Sequence, residues 1–209
     1  MFDQFAAAFR VDPADTGTEP WDDARLTAAD GYNEFARRFA GRSFDLGLYR
    51  AHDAESGPRS ADLLREAFPA FASRACPFGY DWLGRQFAVD ADRREEGEPL
   101  VLLFEPGTGQ ALEIPLPFRA FHDQLDELRE PALAAAFFAE WSVKNPTSVP
   151  LKRNVCVGYH APLFLGGTDT VENLEVVDLG VYWSLAADLL ASTRDQPPGT
   201  RITGVSIDE

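Results

Sequence analysis

The chain reads as an α+β protein, an antiparallel or mixed sheet packed with helices and followed by a small α/β C-terminal unit. Two observations predict this. Aromatic residues recur at helical spacing near the start (Phe2, Phe5, Ala6, Phe9, then Tyr32, Phe35, Ala36, Phe39), while the middle alternates at strand spacing between turn signals. The two patterns mix without the regular β-α-β alternation of a parallel sheet.

In chain order, the first helix carries Phe2, Phe5 and Phe9, and Pro13, Gly17 and Pro20 break the chain after it. Trp21 is expected to pin that loop to the core. The second helix takes Thr27 with Asp30 as its N-terminal cap and Gly41 at its C-terminal end. Phe44, Leu46 and Leu48 alternate as a half-buried strand, Asp53 to Pro58 reads as loop, and Ser60 caps a third helix bearing Leu63, Leu64, Ala67 and Phe68.

Tyr80–Asp90 reads as a strand with Leu83, Phe87 and Val89 on one face and Trp82 opposite. Asp92 to Gly97 is a mixed-charge hairpin loop. Leu100–Phe104 is continuously apolar, as in a central strand covered on both faces. Pro106-Gly107-Thr108-Gly109 turns the chain into a return strand with Leu112, Ile114 and Leu116. Pro117 opens a helix with Phe118, Phe121, Leu125 and Leu128 inward, and Pro131 another with Leu133, Phe137, Phe138 and Trp141.

Ser142 to Arg153, with Pro146 and Pro150, is the best linker, dividing the chain into units 1–142 and 153–209. Beyond it, Val155–Tyr159 and Leu174–Val177 read as strands joined through a Gly166-Gly167 turn. Asp178 caps a helix whose inner face is Leu179, Tyr182, Trp183, Ala186, Leu189 and Leu190. Pro197-Pro198-Gly199 ends that helix, and Val205 and Ile207 suit a last strand.

Composition bounds the function. The net charge is −15, with 34 acidic against 19 basic residues, so nucleic acid or an anionic membrane would be repelled over most of the surface. Solubility, or the acidic bias that accompanies an Arg- and Ala-rich coding style, accounts for that charge; so does a basic partner. Asp3 stands where a signal peptide would be cationic, and the longest apolar run, around Pro131 to Phe138, falls well short of the roughly 20 residues that span a bilayer. A cytoplasmic location is expected, with Cys76 and Cys156 reduced and buried.

Catalytic signatures are missing. His52, His122 and His160 show no zinc spacing, and His122 is expected at the surface or its boundary. There is no nucleophile elbow, P-loop or dinucleotide fingerprint. Cys156 with His160 would make a nucleophile pair, but Cys156 lies in an apolar strand, where thiols are inert. Asp169, Glu172, Glu175 and Asp178 do not match the alternate-position ligands of a calcium loop, and read as a solvated acidic face. No cofactor and no metal is called for.

Gly158-Tyr159-His160-Ala161-Pro162-Leu163-Phe164-Leu165-Gly166-Gly167, followed by Asn173-Leu174-Glu175 and Asp178 to Trp183, resembles the C-terminal domain of type VI secretion immunity proteins. Upstream, Gly47-Leu48-Tyr49-Arg50 and Phe78 to Phe87 resemble the GAD-like domain that often precedes it. The resemblance leads one to expect a charged residue at Gly180 and a basic one at His160, and the chain departs from it at both. It implies a cytoplasmic, non-enzymatic protein that binds a cognate basic toxin, a DNase effector, and occludes it. Asp169, Glu172 and Glu175, near the Gly166-Gly167 turn, are then the candidate partner-binding residues, while Tyr182 and Trp183 pack the core. Two other readings stay open: an interaction or regulatory module with a non-nuclease partner, and a small-molecule enzyme using the acidic turn and His160.

Overall fold

A computed structural model describes residues 1–13 and 17–193. The expected strand at Val205 and Ile207, and the Pro197-Pro198-Gly199 stop, lie outside the described residues.

The first half builds three short helices, α1 (Asp3–Ala8), α2 (Ala24–Thr27) and α3 (Tyr32–Phe39), around a knot of aromatic rings. All four α3 residues at helical spacing are buried; Phe2 and Phe5 meet Phe35 and Phe39 edge-on, and Phe9 stacks on Phe5. Thr27 does not cap α3. It ends α2, a turn the sequence reading missed, and Gly31 at φ 81° starts α3 with no side-chain cap. Gly41, at φ 71°, ends it in the left-handed region as expected.

Six strands follow in a meander, every neighbour antiparallel: β1 (Ser43–Phe44), β2 (Tyr49–Ala51), β3 (Ala75–Asp81), β4 (Gln86–Glu95), β5 (Glu98–Glu105) and β6 (Gln110–Pro117). Phe44 to Leu48 is not a single strand. A 3-10 turn over Asp45–Gly47 splits it, Leu46 sits at φ 65° and is solvent-exposed, and β1 folds back on β2. Tyr80–Asp90 likewise holds two strands. Asp81 accepts hydrogen bonds from the amides of Leu83 and Arg85, and with Gly84 at φ 75° this closes a tight turn. Trp82 belongs to the turn, its indole nitrogen donating to the Leu133 carbonyl at 2.9 Å.

The continuous apolar run of β5 is explained by burial on both faces. Val101 and Leu103 join the aromatic core with Phe87 and Val89, while Leu102 and Phe104 join a second core with Ala88. α5 (Phe118–Gln124), α6 (Arg129–Leu133) and α7 (Ala135–Lys144) cover the first face. Ala134 at φ 48° breaks the expected single helix from Pro131 into α6 and α7.

α4 (Ser56–Ala67) packs on the second face. It begins four residues ahead of the Ser60 expected to cap it, inside the stretch read as loop. Asp53 does the capping: its Oδ1 accepts from the Glu55 and Ser56 amides, and Ser60 is buried within the helix.

Arg50 stitches the sheet to the segment before the C-terminal hairpin. It is fully buried with no carboxylate paired to it among the described residues, donating instead to the carbonyls of Asp81, Lys152 and Val155, and its guanidinium lies 4.4 Å from the Tyr80 ring centre. β7 (Val155–Tyr159) and β8 (Leu174–Asp178) then pair as a separate two-stranded sheet. α8 (Leu179–Thr193) returns over the second face beside α4, capped by Asp178, which accepts from the Gly180 and Val181 amides. Tyr182 and Trp183 are buried, and Trp183 donates to the Gly84 carbonyl at 2.8 Å. Both therefore pack the core.

Candidate functional site

The loop joining β7 to β8 is built by backbone constraints that the sequence half reveals. His160 donates its amide to the Asn173 carbonyl, extending the ladder by one rung. The Asn173 side chain then clamps the loop: its Oδ1 accepts from the Ala161 amide, and its Nδ2 donates to the carbonyls of Ala161 and Thr168. Gly166 turns at φ 90°, and a Cβ on Gly167 would stand 1.8 Å from the Ala161 carbonyl oxygen, so only glycine fits there.

Of the candidate residues, Asp169, Glu172 and Glu175 all lie on this one hairpin and all are exposed. Each is held by a different neighbour. Asp169 accepts from the Tyr159 hydroxyl at 2.6 Å. Glu172 pairs with Lys144 of α7 at 3.0 Å, and this hydrogen bond, more than the charge attraction, holds its carboxyl below the usual range. Glu175 faces His160 at 3.3 Å. Asp178 is occupied as the α8 cap, so it serves the fold.

The histidines divide. His160 is exposed. His122 is not at the surface but fully buried, ringed by Phe2, Phe5, Phe35, Phe78, Phe118 and Phe121. Burial pushes its pKa down to about 3. His52, stacked on Tyr80, is pushed down to about 4, again chiefly by burial. Cys156 is buried and burial raises its thiol pKa, so it makes no thiolate for the exposed His160 to share. Among the described residues no three His, Cys, Asp or Glu side chains are placed to hold a metal ion, and no helix is long and apolar enough to cross a membrane.

Sequence reading missed a polar cluster under the hairpin. Arg85, on β4's approach turn, donates through Nε to Asp81 at 2.6 Å, through Nη1 to Glu105 at 2.8 Å, and through Nη2 to the Ala132 carbonyl at 2.8 Å. Thr108 donates to the other Glu105 oxygen. Burial pushes the Asp81 carboxyl up in spite of Arg85. Beside this cluster opens a cleft of about 130 Å³ whose walls include Arg85, Glu105, Thr108, Phe137, Tyr159 and Asp169. Its residues come from positions more than 80 apart in sequence (Arg85, Asp169), so no local spacing could have announced it.

Residues 146–190 match one protein family. Its description is T6SS immunity protein Tdi1, C-terminal. The match takes in β7, the clamped loop, β8 and most of α8, and hence all three candidate acids. The fold is similar to that of the crystal structure of Atu4351 from Agrobacterium tumefaciens, with a TM-score of 0.61, 15% identity, and coverage of 90% of this chain and 88% of that one. At that identity the likeness is one of fold alone. No curated protein matches.

Proposed function

We propose that this chain is a cytoplasmic type VI secretion immunity protein that binds a cognate DNase toxin and blocks it by occlusion, without chemistry of its own. The match of residues 146–190 to the immunity family carries the reading. The division into a GAD-like unit over 1–142 and an immunity unit over 153–209 belongs to the same proposal.

Physical arguments support it. A DNase must attract phosphate, so its surface is basic, and a partner of net charge −15 is drawn to it from a distance. Asp169, Glu172 and Glu175 stand exposed on a loop fixed by Asn173 and Gly167, so they meet a partner pre-arranged. The cleft beside them, of about 130 Å³, is smaller than the roughly 300–1,000 Å³ usual for small-molecule sites, so it suits a partner's side chain better than a whole metabolite.

Co-expression with the product of the neighbouring gene tests the proposal. The expected result is survival of cells that the neighbour alone kills, with both chains co-purifying. Killing undiminished by this chain would reject it.

A further inference from the structure

We infer that the cleft between the β5–β6 turn and the β7–β8 hairpin is an anchor site for one arginine side chain of the protein partner. The inference rests on the immunity reading for who the partner is, and on the cleft's own chemistry for what it takes.

Three features point to a guanidinium. The first is charge. Arg85 brings one positive charge, but all three of its nitrogens already donate, to Asp81, Glu105 and the Ala132 carbonyl. Of the cleft's own lining, Glu105 and Asp169 outnumber the single cation Arg85, so an anionic ligand finds excess negative charge and no guanidinium nitrogen without an acceptor. A cation finds the reverse.

The second is geometry. Asp169 stands exposed at the cleft, one oxygen fixed by the Tyr159 hydroxyl at 2.6 Å and the other without a hydrogen bond among the described residues. A carboxylate locked in this way suits the planar fork of arginine better than the point charge of lysine. The third is the walls. The half-buried rings of Phe137 and Tyr159 offer faces for a guanidinium to lie against, and the volume of about 130 Å³ admits the end of one side chain. Gly107 keeps this arrangement open to Tyr159, because a Cβ there would come within 2.5 Å of the ring. Buried aromatic and arginine anchors of this kind carry most of the energy in protein interfaces.

The test uses the full chain, isotope-labelled, titrated with N-acetyl-arginine amide and, separately, with its neutral isostere N-acetyl-citrulline amide, followed by amide chemical shifts. The arginine compound is expected to move Gly107, Thr108, Tyr159 and Asp169 in a saturable way, and to bind about tenfold more tightly than the citrulline compound, as befits a charge-assisted pair. Asp169→Asn, an exposed change whose remaining spectrum reports an intact fold, is expected to erase most of that preference. Tyr159→Phe, which keeps the ring and frees the carboxylate, is expected to erase part of it. Equal binding of both compounds, shifts centred elsewhere, or an arginine preference unchanged in Asp169→Asn would each overturn the inference. Because no toxin enters this titration, its failure leaves the co-expression result standing, and failed rescue with intact arginine binding would count against the immunity reading alone.

Discussion

The Tyr49 hydroxyl donates to Nε2 of His122 across 2.9 Å, while Nδ1 of the same ring donates to the Phe118 carbonyl. The carbonyl can only accept, so a proton sits on Nδ1, and burial, which pushes the ring's pKa down to about 3, leaves Nε2 bare and the ring neutral near pH 7. Burial keeps Tyr49 far above its ordinary pKa, so it remains a donor. The pair ties β2 to α5 through the centre of the aromatic core.

Acid stability follows from this. The folded pKa values of His122 and His52, about 3 and about 4, lie below the ordinary 6.5. Between those limits the unfolded chain binds protons that the folded chain refuses. Stability therefore falls as pH drops below about 6.5, by at most ~1.4 kcal/mol per pH unit for each histidine. Asp81, raised by burial, titrates with the opposite sign, so a comparison with His122→Gln isolates the effect. Melting curves from pH 7 to pH 5 are expected to show a declining midpoint for the parent and a shallower decline for the variant. Parallel declines would contradict this account of His122.

Trp183 closes the seam between α8 and the sheet, fully buried and bonded to the Gly84 carbonyl. Trp183→Phe loses the hydrogen bond and orphans that carbonyl, costing about 1–3 kcal/mol. Trp183→Ala adds a cavity and is expected to cost about 3–5 kcal/mol. Chemical denaturation of both variants checks the order and the sizes.

Gly167→Ala is expected to distort the acidic loop, since its new methyl group would collide with the Ala161 carbonyl, a backbone atom with no rotamer to yield. Amide shifts of Ala161, Thr168 and Asn173 should move while those of the six-stranded sheet stay put. Gly166→Ala meets no atom within 4 Å but must hold φ 90°, and is expected to cost about 1 kcal/mol from backbone strain alone.

How much of this was legible in the sequence depends on the range of the interactions. Helical spacing found α1, α3 and α8, because Phe2, Phe5 and Phe9, or Tyr182 and Trp183, announce their inner faces locally. The β7–β8 hairpin, its glycine turn and the Asp178 cap were readable for the same reason. Breaks set by single backbone angles were not: Leu46 and Ala134 take positive φ with side chains that give no warning. Asp81 turned a supposed strand into a hairpin through two hydrogen bonds to its neighbours' amides. His122 next to Phe121 looked like a boundary residue because its seven aromatic neighbours include five from distant stretches. The Arg85 cluster and its cleft depend on strands and loops far apart in the chain, and composition carries no trace of them.

Association with the toxin is expected to slow as salt rises, because a net charge of −15 acts through a field that ions screen. Glu172→Lys reverses a charge paired with Lys144, and should lower the association rate several-fold with little change in folding stability, since both side chains are exposed. Stopped-flow rates at two ionic strengths check this. A rate indifferent to salt would remove the steering argument.

The most direct measurement is a titration of the neighbouring gene's purified product, degrading plasmid DNA, with this protein. The account predicts that cleavage falls linearly and stops at one molecule of inhibitor per toxin. Cleavage that continues undiminished past equivalence would contradict it.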